Sequence, residues 1–217
     1  MIGSGAMDIA ANIEAYLGQR RSTDRYTSFD YCFNYFRSYQ EQGRIGELTV
    51  GPSLQLSCLH LGFYLASWGM YRGSSELLQH SAKHLAPVIT AIADAPASIW
   101  RVDVNDYTDD VCAVLVSYAG RLRRALPDRA TDTLVTKIML GVFACVPAFD
   151  TNFKKGSGLS SFSRDSLLQV AGFYRAHQGL IDGYRVPTLD FDTGEPTSRR
   201  YSRAKVIDMV FFVEGSG

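Results

Sequence analysis

The chain has 217 residues, 46% of them apolar and 12% aromatic, which suits one large domain or two small lobes around a substantial core. Its 22 basic and 22 acidic side chains balance, which excludes a uniformly basic nucleic-acid coat and leaves room for a local basic patch. The cysteines Cys32, Cys58, Cys112 and Cys145 lie far apart with no C-x-x-C pair, so the expectation is buried free thiols in a reducing cytoplasm rather than a zinc knuckle or redox site.

In chain order, the signals are helical. The start, MIGSGAMD, has no basic segment leading into an apolar one, so no secretory signal is expected. Residues 7–20 are compatible with a first helix ending near Gly18. Ser28 is placed to cap a second, FDYCFNYFRSYQEQ, with Asp30 in its first turn and Gly43 beyond its end. Phe29, Phe33 and Phe36 recur there at helical spacing and are assigned to the core. Pro52 opens a third helix, apolar on nearly all sides and therefore expected to be central. Gln55, Ser57, His60 and Ser67 interrupt that run, which is also short for a membrane span of roughly 20 residues, so no membrane partner is expected.

After the break YRGSS, Ser74 or Ser75 is placed to cap a helix over 76–94, kinked or divided at Pro87. Residues 94–107 read as a connector. Thr108, Asp109 and Asp110 open a helix that closes on arginines near its negative end, and 127–132 form a turn into the apolar run TLVTKIMLGVFACVPAFD. Pro147 is expected to end that run. Ser163 caps a helix through Ala176, the span 182–200 reads as a long loop, and SRAKVIDMVFF closes the chain. The fold class is all-α, a compact bundle of about eight helices. It is one domain over 1–217, divisible into lobes 1–105 and 106–217 with a cleft between them.

Few segments carry chemistry. Glu76, His80 and His84 fall at i, i+4 and i+8 on the expected helix, a spacing open to metal ligands, but a solvated polar face is the simpler reading and no H-E-x-x-H motif is present. No phosphate-binding glycine loop or nucleophile elbow occurs, and no cofactor or metal is expected. The turn WGMYRGSSELL places Arg72, Ser74 and Ser75 before a helix start, where backbone N–H groups favour anions, with Trp68 nearby as a stacking surface. The alternative is an ordinary capped turn.

The stretch from Thr133 to Gly156 is the most pointed. Leu134, Ile138, Val142 and Cys145 share a helical stripe, and Lys137, at its edge, is the only charged side chain between Asp132 and Asp150. Partial burial disfavours an ammonium and favours a nucleophilic amine. Asp150 then precedes Thr151, Asn152, Lys154 and Lys155, a polar and basic segment suited to phosphates. The alternative is a lysine whose stem is buried and an aspartate that caps the next turn.

This order of residues resembles the helix-hairpin-helix DNA glycosylase superfamily over about 125–156. ALPDRATDTLVTK stands at the hairpin position and VPAFDTNFKK at the aspartate loop, although the family's glycine hairpin is replaced by Leu126-Pro127 and Asp-Arg-Ala. The resemblance implies a DNA partner and excision of a modified base flipped into a pocket between helices. Asp150 would stabilise the sugar cation or orient water, and Lys137 would attack C1′ if its amine is neutral. Arg72, Arg129, Lys154 and Lys155 would hold phosphates, and Trp68 or Phe149 would stack on a base. The competing reading is a non-catalytic helical module for nucleic acid or protein, motivated by the basic cluster Arg199, Arg200, Arg203 and Lys205. An RNA-cleaving helical toxin ranks last, because neither Arg72–His80 nor Arg175–His177 has a suitable spacing.

Overall fold

Polar caps set where most of the helices begin. Asp8, Thr108, Thr131, Asp150, Ser163 and Ser202 each accept a backbone N–H from the first turn that follows them. The computed structural model describes residues 2, 7–73, 75–126 and 130–217, and ten α-helices lie among them. These are α1 (Ile9–Leu17), α2 (Ser28–Glu41), α3 (Gly51–Ser67), α4 (Ala86–Ala93), α5 (Asp109–Ala125), α6 (Asp132–Phe143), α7 (Thr151–Ser157), α8 (Arg164–Ala176), α9 (Gln178–Gly183) and α10 (Arg203–Glu214). The all-α class is as expected. No described helix is long and apolar enough to cross a membrane.

The centre of the molecule differs from the expected one. In α3 only one side is buried, through Cys58, Leu61, Tyr64 and Leu65, while Leu56, Leu59 and Phe63 face outward. The helices that are truly enclosed are α6, buried from Leu134 to Phe143, and α10, buried from Ala204 to Phe212. Both contain a lysine, and each lysine is paired with an aspartate. Helix α2 packs on α3 and α6, and α10 packs on α1 and α7, so contacts join the two halves of the sequence.

Three expectations about elements are corrected. The span 76–94 is not one helix: two short 3-10 turns, Glu76–Gln79 and Ala82–Leu85, precede α4. Before α4 this span buries only Leu77 and Leu85, too little apolar surface to hold a helical face. Helix α6 ends at Phe143 rather than at Pro147, because Ala144 takes a left-handed conformation (φ 54°) and its carbonyl accepts the Ser202 hydroxyl at 2.6 Å. Finally, the loop over 182–200 contains an antiparallel hairpin, β1 (Pro187–Leu189) and β2 (Pro196–Arg200).

The hairpin exists because α2 supplies polar partners for it. Asn34 donates to the Leu189 carbonyl, Asp30 accepts the Leu189 N–H, and Thr188 donates to the Asn34 side chain. Asp30 is fully buried, paired with Arg20 and hydrogen-bonded by the Tyr201 hydroxyl. Burial pushes the Asp30 pKa upward, against the opposing pull of Arg20 and Tyr201.

Candidate functional site

The end of α3 forms one wall of the site. The Gly69 N–H bonds the Ala66 carbonyl at 2.9 Å and the Met70 N–H bonds the Leu65 carbonyl at 2.9 Å, the paired bonds of a Schellman motif. Gly69 has φ +76°, and a side chain there would also meet the Arg72 guanidinium at 2.8 Å. Glycine therefore lets Arg72 fold back against the turn that carries Trp68. The following 3-10 turn has only four residues and no side-chain cap, and Ser75 instead donates to the Met70 carbonyl. The helix start expected after Ser75 is thus a 3-10 turn of one coil.

The opposite wall comes from α6 and its exit. Thr133 and Lys137, one helical turn apart, project toward the same hollow. The loop after α6 is tied to the helix at both ends of one residue. The Phe149 N–H donates to the Thr136 hydroxyl at 2.8 Å, and the Thr133 hydroxyl donates to the Phe149 carbonyl at 2.9 Å. From α10, Asp208 accepts the Ala148 N–H at 2.9 Å. These bonds fix the position of the next residue, Asp150. Its Oδ1 caps α7 by accepting the Phe153 N–H at 2.9 Å, and its Oδ2 accepts the Lys137 ammonium at 2.7 Å.

Between the walls lies a hollow of about 430 Å³, in the size range of small-molecule sites. Its lining includes Arg25, Trp68, Arg72, Thr133, Lys137, Asp150, Thr151, Asn152 and Phe212. The Lys137 and Asp150 side chains are 4% and 13% exposed, so the ion pair is nearly dry yet reaches the hollow. The Lys137 amine also sits 4.9 Å from the centroid of the Trp68 ring, and the Arg25 guanidinium sits 5.5 Å from it. Tyr26 and Phe212 meet the same indole edge-to-face. Its N–H is buried without a protein partner among the described residues.

A second ion pair lies behind the indole's neighbours. Lys205 donates to Asp208 at 2.9 Å and to the Tyr16 hydroxyl at 2.8 Å, and its amine is 5.7 Å from the Trp68 centroid. Burial, with Asp208 and Asp30 adding to it, raises the Tyr16 pKa well above its ordinary value, so the phenol stays protonated. Lys205 belongs to the basic cluster at 199–205 that motivates the non-catalytic reading. It is 1% exposed, because α10 is a core helix. Arg199, from the same cluster, is part-exposed and is engaged by Glu41 at 2.7 Å.

Of the residues expected to form a site, Lys137, Asp150, Thr151, Asn152, Arg72 and Trp68 line one hollow. Phe149 does not. It is fully buried against Phe153 and Phe162, and no base can stack on it. Lys154 and Lys155 lie further along α7, outside the lining, and Lys155 donates to the Gly217 carbonyl. Ser75 is also outside it. Ser74 and, within the hairpin segment 125–137, residues 127–129 with Arg129 among them lie outside the described residues. Glu76, His80 and His84 share no helix, so their i, i+4, i+8 register does not exist, and among the described residues no cluster of metal-ligating side chains occurs.

Sequence reasoning missed Arg25, Thr133 and Phe212. Thr133 was detectable as the residue one turn before Lys137. Arg25 and Phe212 reach the hollow only through tertiary packing. The four cysteines are free and buried, as expected, and burial pushes the Cys112 thiol up to about 11, which leaves it inert. Comparison of the chain with family models, curated proteins and solved structures finds no match in any of the three.

Proposed function

We propose that this chain binds DNA and cleaves the N-glycosidic bond of a modified nucleotide flipped into the hollow at Trp68. The observation that carries the reading is the placement of the Lys137–Asp150 pair, at 2.7 Å, in the wall of a hollow that also holds an indole and two arginines. The hollow is of a size to take a nucleoside. Trp68 offers an aromatic surface, and Arg25 and Arg72 offer positive charge to the adjoining phosphates.

When the bond between C1′ and the base breaks, its electron pair leaves with the base and positive charge develops on the sugar, until a water adds at C1′ and gives up a proton to the departing base. A fixed carboxylate in a water-poor wall stabilises that charge, which is the role assigned to Asp150. Lys137 holds the carboxylate in place. As an ammonium it has no lone pair, so it attacks C1′ only in a state in which it has released Asp150 and its proton.

Asp150→Asn keeps the shape of the side chain and an acceptor for the Phe153 N–H while removing the charge. We expect wild-type protein to release base from at least one duplex in a panel of modified bases, and Asp150→Asn to be slower by at least about 100-fold. Full activity in the variant would remove Asp150 from the chemistry. A second reading rests on a specific observation: both Asp150 oxygens already have protein partners, as a purely structural cap would require. Salt-sensitive binding of DNA without product on any duplex would favour that non-catalytic module.

A further inference from the structure

We propose that a second, smaller hollow, lined by Arg185, Arg200 and Arg203 beside the hairpin, binds a phosphate group. It has a volume of about 210 Å³, half that of the hollow at Trp68, and it is walled by Tyr184, Tyr201, Ile181 and Val206. Three arginines line it, against one carboxylate, Asp182.

The hairpin explains how the arginines come together. Neighbouring residues of a strand project to opposite faces. Arg199 is therefore turned to Glu41, which it meets through both Nε and Nη2, while Arg200 is turned into the hollow. The only protein acceptor near Arg200 among the described residues is the Thr197 carbonyl, at a marginal 3.5 Å. Arg185 enters from the segment between α9 and β1, is exposed, and has no ion pair among the described residues.

Arg203 lines the hollow as well. Its Nε bonds Asp182 Oδ1 at 2.7 Å and the Tyr174 hydroxyl at 2.9 Å, and Asp103 lies 3.5 Å from Nη1. Asp182 is thus already committed to Arg203 and Tyr174, and Arg185 and Arg200 have no ion pair among the described residues. Converging like charges repel, and an anion seated between them reverses the sign of that interaction. Guanidinium forks match the tetrahedral oxygens of phosphate.

The backbone N–H groups that open α10 are already satisfied within the protein. The Arg203 and Ala204 N–H groups donate to Asp103 at 2.8 and 2.9 Å, and the Lys205 N–H donates to Ser202. The recognition chemistry belongs to the side chains. The phosphate has two possible sources, a free or terminal phosphate and the diester backbone of a nucleic acid.

The test uses the full chain and inorganic phosphate, titrated by calorimetry and by thermal unfolding against chloride of equal ionic strength. Wild-type protein is expected to bind phosphate and to unfold at higher temperature in its presence. Arg185→Gln/Arg200→Gln spares the Arg203 clamp, so it is expected to unfold like wild type without phosphate and to bind phosphate at least about tenfold more weakly. Displacement of phosphate by an unphosphorylated oligonucleotide would identify the backbone as the source. Displacement only by its 5′-phosphorylated form would identify a phosphate terminus. The proposal is overturned if wild-type protein gains nothing from phosphate over chloride, or if the double variant binds it equally well. Asp150→Asn should leave phosphate binding unchanged, so this site and the reading of the Trp68 hollow fail independently.

Discussion

Two lysine–aspartate pairs approach the same indole, and their surroundings separate them. Lys137 and Asp150 sit 13 residues apart, joined across the exit of α6, and the aspartate retains 13% exposure toward a hollow. Lys205 and Asp208 lie on one turn of α10, at 1% and 8% exposure, with Tyr16 and the Ala148 backbone completing their hydrogen bonds. The second pair is a closed set of partners that links α1, α10 and the loop after α6. The first is built on what the second holds still, since Asp208 ties down Ala148, two residues before Asp150. The same two residue types therefore serve as a foundation in one place and as a candidate reactive group in the other. Access to the hollow is the difference.

That comparison predicts an order of effects. The largest belongs to Lys205→Met, which strands the Asp208 charge in the core and should cost about 3–5 kcal/mol in denaturant unfolding. Adding Asp208→Asn should recover part of the loss, because no charge remains and the amide oxygen still accepts the Ala148 N–H. A loss no greater than that of Lys137→Met would erase the distinction between the pairs.

Next is the seam between α7 and α10. A Cβ on Gly156 would lie 2.2 Å from the Phe211 carbonyl oxygen, so Gly156→Ala should destabilise by about 1–3 kcal/mol. An unchanged unfolding midpoint would show that α10 does not set the position of α7.

Lys137→Met should cost less, about 1–2 kcal/mol, since Asp150 keeps its bond to the Phe153 N–H and can draw water from the hollow. Arg72→Ala should change stability by no more than about 0.5 kcal/mol, because the side chain is exposed. The same variant should weaken DNA binding and reduce its salt dependence. Unaltered DNA affinity would remove Arg72 from the contact surface.

Part of this was legible in the residues alone. Ser163 and Thr108 announced α8 and α5, and both side chains accept the expected first-turn N–H. The hydrophobic stripe in 134–145 announced α6. The position of Asp150 suits both a group for chemistry and a cap for the next turn, and it caps α7 while meeting Lys137. The hairpin was hidden. Pro187 and Pro196 open strands without apolar alternation, and their pairing depends on Asn34 and Asp30, more than 150 residues away in sequence.

The sequence by itself determined the helical class, the thiol state and the unusual order of lysine before aspartate, because periodicity and capping act over one or two turns. Tertiary structure decided which lysine is sealed and which lines a hollow. It also took Phe149 into the core and drew Arg185, Arg200 and Arg203 together. Those outcomes depend on how α3, α6, α7 and α10 pack, and solvent access is a property of the whole assembly that no local pattern of residues encodes.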